Sequence, residues 1–167
     1  MKIGLLSDTH GYLDPSIDQY FKDCDEVWHI GDFGPNVDDL LKMKYKVRGV
    51  YGNIDDAICR IDNPEYQFFE MGGVAVLMIH IGGYPERYSK KARELIQELN
   101  PQVFISGHSH ICKVMRDSKN DLIHLNPGAA GVHGFHKIKT IMRFDVENQG
   151  IKNLQVIELG PRVSSAQ

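Results

Sequence analysis

Five polar blocks punctuate this chain, and each closes an apolar, β-branched run. Asp8-Thr9-His10 follows KIGLLS, Gly31-Asp32 follows EVWHI, and Gly52-Asn53 follows KVRGVY. His80 follows VAVLMI, and Gly107-His108-Ser109-His110 follows QVFIS. Short apolar runs of this kind read as strands buried in a sheet. Polar side chains at the end of every run therefore gather on loops along one edge of that sheet.

The segments between the blocks indicate how the runs connect. Residues 2–7 read as a strand. Asp14-Pro15 then opens a helix, with Asp14 as N-cap and Pro15 in the first turn, and Ile17, Tyr20 and Phe21 form its apolar face. A strand at 26–30, a short helix capped by Asn36, and a strand at 46–50 follow. Strand, helix, strand, helix, strand implies parallel pairing with right-handed crossovers. Beyond residue 60 the pattern changes. Residues 66–71 and 74–80 flank Gly72-Gly73 as a hairpin. Ser89 to Leu99 reads as a helix with Ala92, Leu95, Ile96 and Leu99 inward, stopped by Asn100-Pro101. A strand at 102–106 precedes four segments of antiparallel character, at 111–116, 121–125, 137–146 and 151–158. The expected architecture is α/β, a two-sheet β-sandwich with helices outside. The expected organisation is one domain over residues 1–160 and a disordered tail over 161–167.

Bulk composition narrows the functional classes. A chain of 167 residues can bury roughly two thirds of its unfolded surface. Charged residues make up 25% and the hydrophobic class 42%, a globular rather than a disordered balance. Net charge is −3 and no Lys/Arg run stands out, so an electrostatic footprint for duplex nucleic acid is missing. A nucleotide-like substrate remains compatible. The opening MKIGLLSD is too short and too soon acidic for a signal peptide, and no stretch approaches a membrane span. Cys24, Cys59 and Cys112 are widely spaced and odd in number, which suits reduced thiols and a cytoplasmic location. A homo-oligomer is left open.

The blocks bring together two carboxylates (Asp8, Asp32), one carboxamide (Asn53) and four imidazoles (His10, His80, His108, His110). Taken singly, each has a plainer reading: a capped turn, a tight Gly-Asp or Gly-Asn turn, a core histidine. Together they form a donor set of mixed oxygen and imidazole nitrogen, which suits Mn, Fe, Zn, Co or Ni rather than Mg or Ca. The set is too large for one ion that must also hold substrate, and about right for two ions sharing a carboxylate.

At this level the chain resembles the calcineurin-like metallophosphoesterases, in particular their small bacterial and archaeal phosphodiesterase branch. The family order D-x-H, G-D, G-N, H, G-H-x-H is present over residues 8–110, and Asn126-Pro127-Gly128 matches a further family turn. The resemblance implies a four-layer α/β/β/α fold, shared with the retromer scaffold subunit. It implies one divalent ion on Asp8, His10, Asp32 and His110 and a second on Asp32, Asn53, His80 and His108, with manganese the leading metal. It implies hydrolysis of a phosphate ester, chiefly a phosphodiester, by hydroxide shared between the ions, with Asp32, Asn53 and His108 at the catalytic centre. The alternatives are a phosphomonoesterase acting on a small metabolite and a metal-binding scaffold without catalysis.

Two positions depart from the wider family. Ile54 stands where many members carry the histidine credited with protonating the leaving group, and His80-Ile81-Gly82-Gly83 lacks the second histidine of a His-Gly-His block. Asp55 can orient the Asn53 loop from behind. His29, His124, His133 and His136 fall outside the family's ligand positions. The balance for His133 and His136 favours ordinary histidines, although the neighbouring Gly-Ala-Ala-Gly stretch could bring them to the site mouth. Arg87 is a candidate phosphate contact at the rim.

Overall fold

The computed structural model describes residues 1–163. The chain runs β1 (Lys2–Leu6), α1 (Ile17–Phe21), β2 (Glu26–His29), α2 (Val37–Lys42), β3 (Val47–Gly49), α3 (Ala57–Asp62), β4 (Tyr66–Met71) and β5 (Val74–Ile79). It continues through β6 (Gly83–Tyr84), β7 (Arg87–Tyr88), α4 (Lys90–Leu99), β8 (Val103–Ile105), β9 (Cys112–Asp117), β10 (Leu122–Pro127), β11 (Ile138–Glu147) and β12 (Gly150–Pro161). Two five-stranded sheets form, ordered β12-β11-β1-β2-β3 and β4-β5-β8-β10-β9. β1, β2 and β3 pair in parallel, as do β5, β8 and β10, while β11, β12, β4 and β9 join antiparallel.

Side-chain alternation along each strand builds the layers. Ile3, Leu5, Trp28 and Ile30 of the first sheet meet Val76, Met78, Val103, Ile105 and Leu125 of the second in a core between the sheets. The opposite faces are apolar as well. Leu6 and Val27 pack outward on Ile17, Phe21, Val37 and Leu41 of α1 and α2, and Leu77 and Phe104 pack on Ala92, Leu95 and Ile96 of α4. Central strands buried on both faces are the mark of parallel sheets covered by helices. The result is a mixed α/β fold of two sheets flanked by helices.

Local details differ from the sequence reading in instructive ways. α1 starts at Ile17 with Ser16 at its N-cap, not at Asp14. The Asp14 carboxylate accepts from the Ser16 amide and hydroxyl and pairs with buried Lys139, so it forms a local turn rather than a helix cap. Asn36 precedes α2 in a left-handed conformation (φ 64°) without a side-chain cap. α3 was not foreseen, because Ile58 and Ile61 face outward and give it no inward apolar period; its start is fixed by Asp56 accepting from the Cys59 amide. The β6–β7 ribbon was also missed, its strands being two residues each. The Gly72-Gly73 hairpin is as expected, both residues having φ above zero as a type I′ turn requires. α4 keeps its expected limits, with Ser89 accepting from the Ala92 amide and Asn100 left-handed at the C-cap. Strand β12 reaches Pro161, and the Arg162 side chain donates to the carbonyls of His136 and Val132. Residues 161 and 162 thus pack with the domain, and 164–167 of the expected tail lie outside the described residues. No helix among the described residues is long and apolar enough to cross a membrane.

Candidate metal centre

The loops leaving β1, β2, β3, β5 and β8 converge at one edge of the sandwich. Asp8 and His10 come from the first, Asp32 from the second, Asn53 from the third, His80 from the fourth, and His108 and His110 from the fifth. Five of these residues are in the left-handed region: Asp8 (φ 54°), His10 (47°), Asp32 (55°), His108 (66°) and His110 (58°). Non-glycine residues pay roughly 1–3 kcal/mol each for such conformations, which persist where surrounding structure imposes them and which gather at functional sites. Here backbone hydrogen bonds impose them: Asp8 N–H donates to Gly31 O (3.0 Å), His10 N–H to Asp32 O (3.0 Å), and Gly11 N–H to Phe33 O (2.8 Å).

The side chains fall into two groups. Asp8, His10 and His110 form one, and Asp32, His80 and His108 the other, each with its donor atoms within 4.8 Å of one another. Asp32 touches both: its Oδ2 lies 3.5 Å from His10 Nε2 and 3.3 Å from His80 Nε2. Asp8 Oδ1 lies 3.2 Å from His110 Nε2 and 3.9 Å from the Nε2 atoms of His10 and His80. Asn53 lines the same cleft as His10, Asp32, His108 and His110.

This donor set fits divalent ions. Asp8 Oδ1, His10 Nε2 and His80 Nε2 are buried without a hydrogen-bond partner. Each such unsatisfied atom costs about 1–3 kcal/mol unless something satisfies it, and a cation in each of the two groups would satisfy the atoms of that group. The remaining atoms are already anchored. Asp8 Oδ2 accepts from Ser7 Oγ (2.6 Å) and His108 N–H (3.1 Å), and Asp32 Oδ1 accepts from Ile54 N–H (3.1 Å). His80 Nδ1 meets Ile30 O at 2.6 Å, so the proton belongs there and Nε2 presents its lone pair.

Electrostatics agree with that geometry. Burial alone would raise Asp32, but the hydrogen bond and charge of His80 outweigh it, helped by the Ile54 amide and His10, and hold the carboxyl down at about 2. Burial lowers His10 against the pull of Asp32 and Asp8, so its ring tends toward the neutral form a ligand needs. Burial would also lower His80, yet the adjacent Asp32 and Asp8 carboxylates carry it above its ordinary value, so a proton and a cation compete for its Nε2.

Supporting residues surround the cleft. Asp55 accepts from the amides of Gly52 (2.8 Å) and Gly34 (3.1 Å), stitching the Asn53 loop to the Asp32 loop; burial raises its carboxyl in spite of these bonds. It therefore acts on backbone. A Cβ at Gly52 would overlap the Asp32 carboxylate and amide, which explains the residue before Asn53. Asn126 donates to Gly107 O (3.0 Å) and Ser109 Oγ (3.2 Å) and accepts from Gly128 N–H (2.9 Å), bracing the His108 loop. His133 and His136, favoured as ordinary histidines, both line the mouth, their rings 4.8 Å from His10 and 5.2 Å from His110 between centroids. Ile54 lies there too, and Arg87 lines an adjoining pocket.

Sequence reasoning missed His29 and His124. His29 is fully buried, its Nε2 is 2.9 Å from Thr9 Oγ1, and its Nδ1 accepts from Gly31 N–H (3.2 Å). Thr9 Oγ1 in turn donates to Phe33 O (2.9 Å), so one imidazole ties the Asp8 loop to the Asp32 loop. No local pattern announces this, because Thr9 is twenty residues away.

Residues 1–149 match the calcineurin-like phosphoesterase superfamily domain. The chain belongs to this family. A probable metallophosphoesterase of Methanocaldococcus jannaschii is 33% identical over 156 residues, covering 89% of this chain and 78% of that protein. A second, from Methanothermobacter thermautotrophicus, is 32% identical over 138 residues, covering 79% and 78%. Among solved structures, an archaeal protein described as a novel phosphodiesterase superposes with a TM-score of 0.75 at 25% identity, covering 95% of this chain and all of that one. Vps29 of Chaetomium thermophilum has the same fold, with a TM-score of 0.72 at 15% identity over 95% and 97%. In this calcineurin-like phosphoesterase the two His/Asp groups stand at the strand ends as candidate sites for divalent metal.

Proposed function

We propose that this calcineurin-like phosphoesterase is a two-metal phosphodiesterase. One ion would be held by Asp8, His10, Asp32 and His110, the other by Asp32, Asn53, His80 and His108. The observation that carries the reading is the Asp32 carboxylate, within 3.5 Å of an imidazole from each group. The archaeal neighbour described as a phosphodiesterase supports the diester preference. Manganese leads among Mn, Fe, Zn, Ni and Co for this mixed donor set. When bound, such a pair of ions would polarise a phosphoryl group and make a water acidic enough to supply a nucleophile near neutral pH.

The protein's own residues do the rest. The Asp8 and Asp32 loops, locked by backbone hydrogen bonds, fix the carboxylates before substrate arrives. His80 is held with its proton on Nδ1 by Ile30 O, which leaves the Nε2 lone pair for metal. Asn53 and His108 line the cleft, so the ion they help to hold would stand where a phosphate ester can reach it. No side-chain nucleophile is needed. The three cysteines lie outside the cleft, and burial pushes the thiols of Cys24 and Cys59 up to about 11 and about 12. Ile54 offers no proton to the departing oxygen, so activated leaving groups are favoured. Unpaired thiols suit the reducing cytoplasm.

The test is hydrolysis of bis(4-nitrophenyl) phosphate and 4-nitrophenyl phosphate by the metal-free protein before and after adding Mn. The reading requires Mn-dependent turnover with the diester faster. A faster monoester would favour a phosphomonoesterase. A second reading, a protein-contact scaffold on the fold of Vps29, has one observation behind it: Ile58 and Ile61 of α3 are 77% and 81% exposed. Metal binding without turnover of either ester, with any of the five metals, would favour the scaffold.

A further inference from the structure

We propose that the pocket walled by Lys113 and Arg87, beside the His108 loop, seats a second phosphate of the substrate, one that is not cleaved. The proposal rests on the phosphodiesterase reading and gives it a substrate class: a phosphodiester whose retained half carries a further phosphomonoester.

The pocket holds about 270 Å³ and shares Gly107, His108 and Ser109 with the metal loop, so a ligand in it lies against the reacting centre. None of its lining residues is Asp or Glu, in a chain whose net charge is −3. Lys113 Nζ sits 3.7 Å from the centre of the Tyr84 ring, a contact that orients the ammonium without neutralising it. Neither Lys113 nor Arg87 has an ion-pair partner among the described residues. The neighbouring pocket, on the other side of Ile81, differs on this point. It also carries two cations, but Arg60 donates to the Asp55 and Asn53 carbonyls and Lys91 pairs with Glu65 at 3.9 Å. The cleft over the metal groups is lined by no Lys or Arg at all.

His124 favours phosphate over other anions. It lines the pocket, is 1% exposed, and places Nε2 2.9 Å from Ser106 Oγ. The Ser106 hydroxyl donates to Gly83 O (2.9 Å), so it accepts from the His124 Nε2–H. That leaves Nδ1 as a bare acceptor, buried and without a partner. Burial, reinforced by the Lys113 charge, lowers this imidazole to about 4 and keeps it an acceptor. A phosphomonoester supplies oxyanions for the two cations, and a small shift of the buried His124 ring would let its Nδ1 accept from a P–OH donor. A carboxylate lacks the donor.

The experiment is calorimetric titration of the Mn-loaded full chain with thymidine 5′-monophosphate and thymidine 3′,5′-bisphosphate, each equilibrated in the same Mn buffer. The bisphosphate should bind about tenfold tighter or better, as expected for charge-assisted hydrogen bonds to two cations. In a Lys113→Gln, Arg87→Gln protein of unchanged circular dichroism the two affinities should agree within about twofold. A ratio near one in the native protein, or a ratio that survives the double substitution, overturns the subsite. Hydrolysis of bis(4-nitrophenyl) phosphate, measured in parallel, tests the catalytic reading separately. Turnover with a ratio near one removes only the subsite, whereas a tenfold ratio without turnover supports the subsite and removes only the catalytic reading.

Discussion

Behind its ligand loops each sheet buries a neutral imidazole against a hydroxyl, and the two pairs differ in one atom. In the first sheet His29 sits 2.9 Å from Thr9 Oγ1, and its second nitrogen takes the Gly31 amide. In the second, His124 sits 2.9 Å from Ser106 Oγ, and its second nitrogen has no partner. The first pair is closed, with every polar atom used to lock Asp8 and Asp32 in place. The second is open, and its imidazole belongs to the wall of a pocket. The lesson is a division of labour: the first sheet spends its buried polar groups on rigid positioning of carboxylates, and the second keeps one in reserve for a ligand. The two halves meet at Asp32 and at His80, whose Nδ1 reaches across to Ile30 O of the first sheet.

The largest effect should come from breaking the junction. Asp32→Ala removes the carboxylate that touches both imidazole groups, and kcat/KM for the diester should fall on the order of 10³-fold at saturating Mn, the equivalent of several kcal/mol of transition-state stabilisation. Stripping the ions with a chelator should abolish turnover, and adding Mn back should restore it. Ions present at about a hundred times their Kd should raise stability by about 2.7 kcal/mol for each site filled, read as a higher melting temperature. Braces of the individual halves should matter less. Asn126→Ala frees the His108 loop and should cost roughly 10–100-fold in Mn affinity or activity, measured by Mn titration of the purified variant.

The two imidazole pairs can then be set against each other. Thr9→Val strands the fully buried His29 Nε2–H and should cost about 1–3 kcal/mol of stability in urea unfolding. It should also lower activity, because the same hydroxyl joins the Asp8 and Asp32 loops. Ser106→Ala should cost a similar stability with less effect on Mn affinity. The pH dependence separates the same two pairs without touching the metal groups. Burial lowers His29 to about 3 and His124 to about 4, so both are neutral in the folded protein while the unfolded chain takes protons below about 6.5. Stability from these groups is complete above about 6.5 and is lost as pH falls toward the folded values. His124→Gln should flatten part of that decline between pH 6.5 and 4, measured by urea unfolding in the metal-free protein.

Much of the site was readable because it is local. Each candidate ligand directly follows an apolar strand, and a parallel arrangement forces such ends to one edge. The structure brings Asp8, His10 and His110 into one group and Asp32, His80 and His108 into another. What escaped is non-local or lacks a period. Thr9–His29 and Ser106–His124 join residues about twenty positions apart whose partners depend on the finished sheets. α3 was hidden because its isoleucines face solvent, and Asp14 was misread as a cap because its partner Lys139 lies at the far end of the chain. His133 and His136 reach the mouth through a loop whose path no periodicity specifies.

In the proposed centre Asp32 joins two metal positions into one. Electron paramagnetic resonance of the Mn-titrated protein, with elemental analysis of the same samples, tests it most directly. Two Mn per chain are expected and, as the second equivalent binds, the spectrum of an exchange-coupled pair, lost in Asp32→Ala. A six-line spectrum of isolated Mn at every loading, or saturation at one ion per chain, would contradict it.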